Sequence, residues 1–203
     1  MSNRFGEKRT GIGSGLAFVV TGPSGAGKNS VIDLVMDQLP KLVYSVSYTS
    51  RSKRPSENDG EDYVFVTEDE FVRRVEAGDF LEHVTYVDDH YGTSRSQIED
   101  SITRGFDVIL NIEVEGAKTL QQEDLGGTKV VYVFLTPSSM VELEARLRKR
   151  NTEDETKIQR RLQVARQEMK ALPRFDYLVI NDDLDSAVRE LASVIIAERI
   201  RLP

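Results

Sequence analysis

The sequence predicts an α/β fold, a parallel β-sheet core flanked by helices on both faces, with one inserted mixed segment and one helical hairpin. Three observations carry this reading. Short apolar, β-branched runs alternate with helical patterns along most of the 203 residues. The alternation breaks once, between about Ser45 and Ser96, where short strands and polar loops surround a single helix. A second break, from Val141 to Met169, is highly charged and helical in pattern, interrupted near Asn151-Thr152. Alternating strand and helix signals imply parallel strands joined by crossover helices, because each strand needs a long connection to re-enter the sheet in the same direction.

The elements follow in order. Leu16 to Thr21 reads as a buried strand that runs into a glycine-rich turn, and Asn29 to Leu39 as the amphipathic helix after it. Inside the insertion, Tyr63 to Val66 and Phe80 to Tyr86 read as short strands around a helix at Glu68 to Ala77. Asp107 to Val114 is the next core strand, followed by a short helix, and Val130 to Leu135 leads into a helix at Ser138 to Arg150. Tyr177 to Ile180 and a helix at Asp185 to Ile200 close the series. Residues 1–46, 97–138 and 170–203 are thereby assigned to the core, 47–96 to the insertion and 139–169 to the hairpin. A chain of this length has room for one sizeable core with such insertions.

Composition narrows the function classes. With no cysteine, neither a disulfide framework nor a thiolate metal site is available, and a reducing compartment, the cytoplasm, is the expected home. No apolar run approaches the roughly 20 residues that span a bilayer, and Leu16 to Val20 enters a glycine-rich loop directly, unlike a signal peptide. The net charge of −7, from 34 acidic and 27 basic residues, argues against a general nucleic-acid or anionic-membrane surface. An anionic ligand must therefore meet local cations, which cluster at Arg51 to Arg54 and Arg146 to Arg150.

The strongest motif is Gly22-Pro23-Ser24-Gly25-Ala26-Gly27-Lys28, between an apolar strand and an amphipathic helix. That is the context of a phosphate-binding P-loop. Glycines let backbone N–H groups turn onto phosphate oxygens, the helix amino terminus adds partial positive charge, and Lys28 neutralises the β- and γ-phosphates of a nucleoside triphosphate. Asn29 occupies the position that normally supplies a Mg²⁺-binding hydroxyl, with Ser30 one residue later. An amide oxygen can ligate the ion or hold one of its waters, since Mg²⁺ keeps several waters and leans on substrate phosphates. The upstream run Gly11-Ile12-Gly13-Ser14-Gly15 precedes a strand instead of following one, so it is not a dinucleotide fingerprint.

Arg51 and Arg54 offer two planar forks suited to a phosphate dianion. Alone, the pair reads equally well as a solvated basic loop. The surrounding residues decide. Ser45-Val46-Ser47, Thr49, Arg51, Arg54-Pro55, Glu57, Gly60 and Tyr63-Val64-Phe65-Val66 resemble the GMP-binding segment of guanylate kinases. The resemblance continues through Phe80-Leu81-Glu82, Tyr91-Gly92-Thr93, Arg146, Arg150, Thr152-Glu153, Arg161-Leu162 and Asn181-Asp182-Asp183-Leu184, covering nearly the whole chain after about Leu16.

The resemblance implies phosphoryl transfer from ATP to GMP and dGMP with Mg²⁺, ATP being held by Gly22 through Ser30 together with Asn181. It implies that Arg51, Arg54, Tyr63 and Tyr91 grip the GMP phosphate and that Ser47, Glu82, Thr93 and Glu113 contact guanine. It also implies that Arg146, Arg150 and Arg161 form a lid over the transferring group, with Lys28 and Arg51 completing the catalytic set. Guanine chemistry agrees for Glu82, because N1–H and the 2-amino group form a donor pair that one carboxylate accepts with both oxygens, whereas adenine presents an acceptor at N1.

The chain departs from the family pattern at Lys53 and Ser56, where Pro and Gly are usual, and at Asn111 and Glu115, where an acid and Gln are common. A non-catalytic binding module of the same family would tend to lose the loop lysine or the lid arginines, and this chain retains both. A same-fold kinase for a ribose bisphosphate would have no donor pair for Glu82. The expected partners are small-molecule substrates alone, and oligomeric state is not legible.

Overall fold

The computed structural model of the chain describes residues 15–55, 57–86, 89–123, 125–149 and 155–202. Its strands are β1 (Ala17–Thr21), β2 (Leu42–Tyr44), β3 (Tyr48–Thr49), β4 (Val64–Phe65), β5 (Phe80–Tyr86), β6 (Asp89–Ser94), β7 (Asp107–Asn111), β8 (Val130–Thr136) and β9 (Tyr177–Ile180). Its helices are α1 (Lys28–Gln38), α2 (Glu68–Glu76), α3 (Arg95–Thr103), α4 (Val114–Leu120), α5 (Met140–Lys149), α6 (Glu155–Glu168) and α7 (Leu184–Ile200), with a 3₁₀ segment at Met169–Arg174. Five strands form one sheet in the order β2-β7-β1-β8-β9, and four form a second in the order β4-β3-β6-β5. The β2–β7 and β8–β9 pairs are parallel, as the βα rhythm requires.

The chain divides into two compact units. One contains Lys41–Leu110 and Thr119–Val130 with the strip ending at Ala17, and the other Phe18–Pro40, Asn111–Lys118 and the chain from Val131 on.

In the first unit the small mixed sheet organises the packing. β5 and β6 are antiparallel, with Glu82 opposite Thr93 and Val84 opposite Tyr91, while β3 pairs parallel with β4 and antiparallel with β6. α2 starts where Thr67 accepts a hydrogen bond from the Glu70 N–H at 3.2 Å, and its termini carry Glu68, Asp69 and Glu70 first and Arg73 and Arg74 last. That order complements the helix dipole. The helix buries Phe71, which stacks on Phe80 with ring centroids 4.8 Å apart.

Gly92 on β6 lies under this stack, and a Cβ there would sit 3.0 Å from the Phe80 ring and 3.1 Å from Phe71. Gly92→Ala is expected to cost about 1–3 kcal/mol by overpacking two rigid rings. Urea unfolding reads the loss, and an unchanged midpoint would show that the stack yields freely.

In the second unit, β1 and β8 are buried almost end to end, with Phe18, Val19, Val20, Val133, Phe134 and Leu135 all solvent-inaccessible. A strand covered on both faces has no polar alternation, which is why both runs read as continuously apolar. α7 buries Ala187, Val188, Leu191, Ala192 and Ile195 on a helical stripe. α5 and α6 pack together through Leu143, Leu147, Ile158, Leu162 and Ala165.

The sequence reading differs from this fold in particular places. The strand expected to reach Val114 ends at Asn111, and Val114 opens α4 instead. Helical structure runs past Met169 as the 3₁₀ segment. β2, β3, β6 and α3 are additional. β6, of sequence DHYGTS, shows no hydrophobic alternation, and pairing with β5 on one side and β3 on the other makes it a strand. The predicted break at Asn151-Thr152 lies outside the described residues.

Candidate active site

The phosphate loop is built by steric necessity. Gly22 has φ 138°, and a Cβ there would lie 2.0 Å from the Leu135 carbonyl oxygen. Gly27 caps α1 in the left-handed region at φ 91°, and its Cβ would lie 2.4 Å from Asn181 Nδ2. No other residue type fits either position. Asn181, buried at the end of β9, explains the second contact by donating to the Ala26 carbonyl at 2.7 Å. The amide braces the loop at the Ala26 carbonyl, while the Ala26 N–H donates back to the Pro23 carbonyl at 3.1 Å.

Lys28 is buried, and its Nζ donates to the Gly22 carbonyl at 2.6 Å and to Pro23 at 3.4 Å. The ammonium thus rests on the loop it serves, within reach of whatever the loop cradles. Asn29 and Ser30 are exposed at the start of α1. The Asn29 Oδ1 accepts a hydrogen bond from Asn111 Nδ2 at 2.7 Å, so the two unusual residues form one neutral pair at the strand end.

Two of the three expected lid arginines reach the loop. Arg161 on α6 donates to Ser24 Oγ at 3.0 Å. Arg146 on α5 is held by Glu142 at 2.7 Å and lies at the long end of hydrogen-bond range, 3.5 Å, from the Ala26 carbonyl. Leu147 and Leu143 of α5 close over Gly25, where a Cβ would come within 2.8 Å of Leu147. Arg150 falls outside the described residues.

In the other unit, the expected GMP-phosphate residues form an aromatic-walled cluster. The Arg51 guanidinium lies 5.3 Å from the Tyr63 ring centroid and 5.6 Å from Phe65, and Tyr63 meets Tyr91 edge-on at 5.9 Å. Arg51 is fixed by a two-pronged pair with Glu57, at 3.0 and 2.8 Å. That bond raises the guanidinium pKa further above its already high value. Burial pushes Glu57 up, but the hydrogen bonds from Arg51 and the Arg54 N–H prevail and hold it below the usual carboxylate range. Burial likewise raises the Tyr91 phenol. The Arg54 side chain is 62% exposed, and its backbone N–H donates to Glu57 at 2.8 Å.

The expected guanine residues Ser47, Glu82 and Thr93 are all buried. Thr93 Oγ1 donates to Glu82 Oε1 at 2.5 Å across the strand pair. The hydroxyl fixes one carboxylate oxygen in place, and a carboxylate held in this way presents a defined acceptor geometry. Glu113, just past β7, is placed in the unit of the phosphate loop, with its Oε2 buried.

Sequence reasoning assigned no role to Glu57, Asn111 or Glu168. Glu57 was accessible in principle, as an acid six and three residues from two arginines. Glu168 had no such signal, because it ends a charged helix.

The sequence model of the guanylate kinase family matches residues 15–198. The chain belongs to the guanylate kinase family. A guanylate kinase of Thermotoga maritima is 43% identical over 188 residues, covering 93% of this chain and 89% of its own. One from Desulfitobacterium hafniense is 42% identical over 188 residues, with 93% and 92% covered. The crystal structure of guanylate kinase from Anaplasma phagocytophilum matches with a TM-score of 0.75 at 28% identity, over 93% of this chain and 88% of that one. The family function is ATP:GMP phosphoryl transfer, which makes this guanylate kinase relative a nucleoside monophosphate kinase with small-molecule substrates. Among the described residues no helix is long and apolar enough to cross a membrane.

Proposed function

We propose that this chain moves the γ-phosphoryl group of ATP onto GMP and dGMP in the cytoplasm, using the residues placed above. The observation that carries the reading is the buried Glu82 carboxylate, pinned by Thr93 of β6, the strand that also carries Tyr91 of the Arg51, Tyr63 and Tyr91 cluster. It supplies the acceptor pair that guanine's two donors need, and Ser47 adds a buried hydroxyl. Arg51, Arg54, Tyr63 and Tyr91 hold the GMP phosphate, with the Arg51 guanidinium oriented by Glu57 and the Ser52 carbonyl. The loop from Gly22 to Ser30 binds the triphosphate of ATP, with Asn181 bracing Ala26. Residues 139–169 act as the lid and 47–96 as the GMP-binding segment.

The chemistry asks for placement and charge, not proton transfer. A nucleoside monophosphate has its second pKa near about 6, so its attacking oxygen is already unprotonated at neutral pH. Lys28, Arg146, Arg150 and Arg161 neutralise charge that builds on the transferring group, and the arginines exclude water that would otherwise accept it. His83 and His90 have no part in this.

Mg²⁺ fits the site as an ion held chiefly by nucleotide phosphates. Asn29 Oδ1 spends one lone pair on Asn111 and keeps the other for the ion or one of its waters. Mg²⁺ would supply positive charge there to offset that of the phosphate oxygens.

An ADP-release assay across AMP, CMP, GMP and UMP tests the proposal. GMP and dGMP are expected to turn over, with AMP disfavoured by roughly 10⁴-fold in kcat/KM. No turnover of GMP would overturn the proposal.

A further inference from the structure

Asn29 is the second residue of α1 and exposed, and Asn111 ends β7, half-buried. One hydrogen bond joins these positions, 82 residues apart and in the same compact unit, with Asn111 Nδ2 donating to Asn29 Oδ1 at 2.7 Å. The bond uses one hydrogen and one lone pair, so the two amides keep lone pairs on both oxygens and further N–H donors. The pair can accept from water or donate to phosphate. It can cancel no charge.

The surroundings are cationic. The first turn of α1 carries no acidic residue, and the Lys28 ammonium beside Asn29 is buried on the Gly22 carbonyl. Glu115 pairs with Lys118 at 2.6 Å, and Glu113 has one carboxylate oxygen, Oε2, buried. Among the described residues no three His, Cys, Asp or Glu side chains gather where they could hold a metal ion. A helix amino terminus and an ammonium thus set the field at this end of the loop, and both attract phosphate oxygens while repelling a cation.

We infer that the Asn29–Asn111 pair uncouples nucleotide binding from the divalent ion, so that the loop holds a nucleoside diphosphate or triphosphate about equally well with Mg²⁺ and without it. The inference deepens the ATP-binding role proposed for residues 22–30 and rests on it. Its ground is linkage. A nucleotide carrying the ion binds better than the bare nucleotide only through what the protein offers the ion. A neutral amide offers little. Lys28 takes some of that back, because a nucleotide whose charge is already partly offset attracts the ammonium less. Asn111 acts here as a positioning residue, holding the Asn29 oxygen in place without adding charge.

The experiment measures ADP affinity by isothermal titration calorimetry, once with excess Mg²⁺ and once with EDTA, at a single ionic strength. The quantity read is the ratio of the dissociation constant in EDTA to that in Mg²⁺. For wild type it is expected within about threefold of unity, the scale of a weak exposed contact. Asn29→Asp is nearly isosteric and keeps its bond, since Asn111 Nδ2 can donate to a carboxylate as it does to the amide oxygen. Asn111→Asp keeps the bond once Asn29 turns its N–H₂ group inward. Either carboxylate repels bare phosphate and attracts the ion, so each substitution is expected to raise the ratio roughly tenfold. Thermal melts without nucleotide establish that the variants fold, and placing the charge on opposite partners keeps the test alive if one of them does not. A wild-type ratio of about tenfold or more would overturn the inference. An unchanged ratio in either folded variant would do the same, because a merely structural bond weakens binding equally in both buffers. Failure to bind ADP in either buffer would overturn the phosphate-loop reading and the inference with it. A wild type that binds ADP but does not turn over GMP would overturn the proposed function, leaving the ratio to judge the pair.

Discussion

Lys28→Ala is expected to lower kcat by on the order of 10³-fold or more while leaving the fold intact. The two halves of that expectation have separate physical causes. In phosphoryl transfer the protein performs little covalent chemistry, so a lost cation at the β- and γ-phosphates is lost transition-state stabilisation with nothing to replace it. Stability depends much less on this residue. Its ammonium bonds only the Gly22 and Pro23 carbonyls among the described residues, and both belong to a loop whose shape is set by glycine geometry and by Asn181. Loosening those two bonds costs about 1–3 kcal/mol. Lys28→Arg is expected to fail nearly as badly, because a planar fork cannot occupy the place of a compact ammonium 2.6 Å from a carbonyl. Single-turnover kinetics with a parallel thermal melt separate the effects. A near-normal rate in Lys28→Ala would remove the lysine from the chemistry and with it the reading of the loop.

Much of this was legible in the sequence because the signals are local. β9, Tyr177–Ile180, and β5, Phe80–Tyr86, have the bounds the apolar runs gave, and α7 and α1 are right to within a residue at each end. The loop declares itself in seven consecutive residues. What stayed hidden depends on partners far away in the chain. β6 exists through pairing, not composition. The seat of Arg161 on Ser24 joins residues 137 apart, and the clamp of Asn181 on Ala26 joins residues 155 apart. No periodicity encodes such contacts. The pairing of Asn29 with Asn111 shows a different kind of gap. Each residue taken singly departs from its family's habit and weakens the metal reading, yet together they form a hydrogen-bonded pair that neither position reveals alone. Glu168 is the extreme case, since a helix-terminal glutamate is ordinarily solvated and this one is buried.

Glu82→Gln is the second large expected effect, and it tests recognition where Lys28 tests chemistry. The substitution preserves volume, and the new amide oxygen can still accept from Thr93, so the β5–β6 pairing should survive. Removing a buried negative charge relieves desolvation, and the variant should be at least as stable as wild type. The donor pair of guanine fares differently. One of its two hydrogens meets the glutamine oxygen, and the other meets an N–H₂ group, a donor against a donor in a buried site. Loss of a charge-assisted bond together with an unpaired donor is worth about 3–4 kcal/mol, or roughly 10²- to 10³-fold in kcat/KM for GMP. The ATP KM should not change, since the loop, Lys28 and Asn181 are untouched. Discrimination against AMP should shrink, because adenine loses the unpaired carboxylate that excluded it. The diagnostic quantity is therefore the GMP-to-AMP ratio of kcat/KM, not the GMP rate by itself. A variant that binds GMP poorly but keeps the ratio would owe its defect to distortion of the strand pair. Unchanged GMP kinetics would place guanine recognition elsewhere and leave the buried Glu82–Thr93 bond as a purely structural contact.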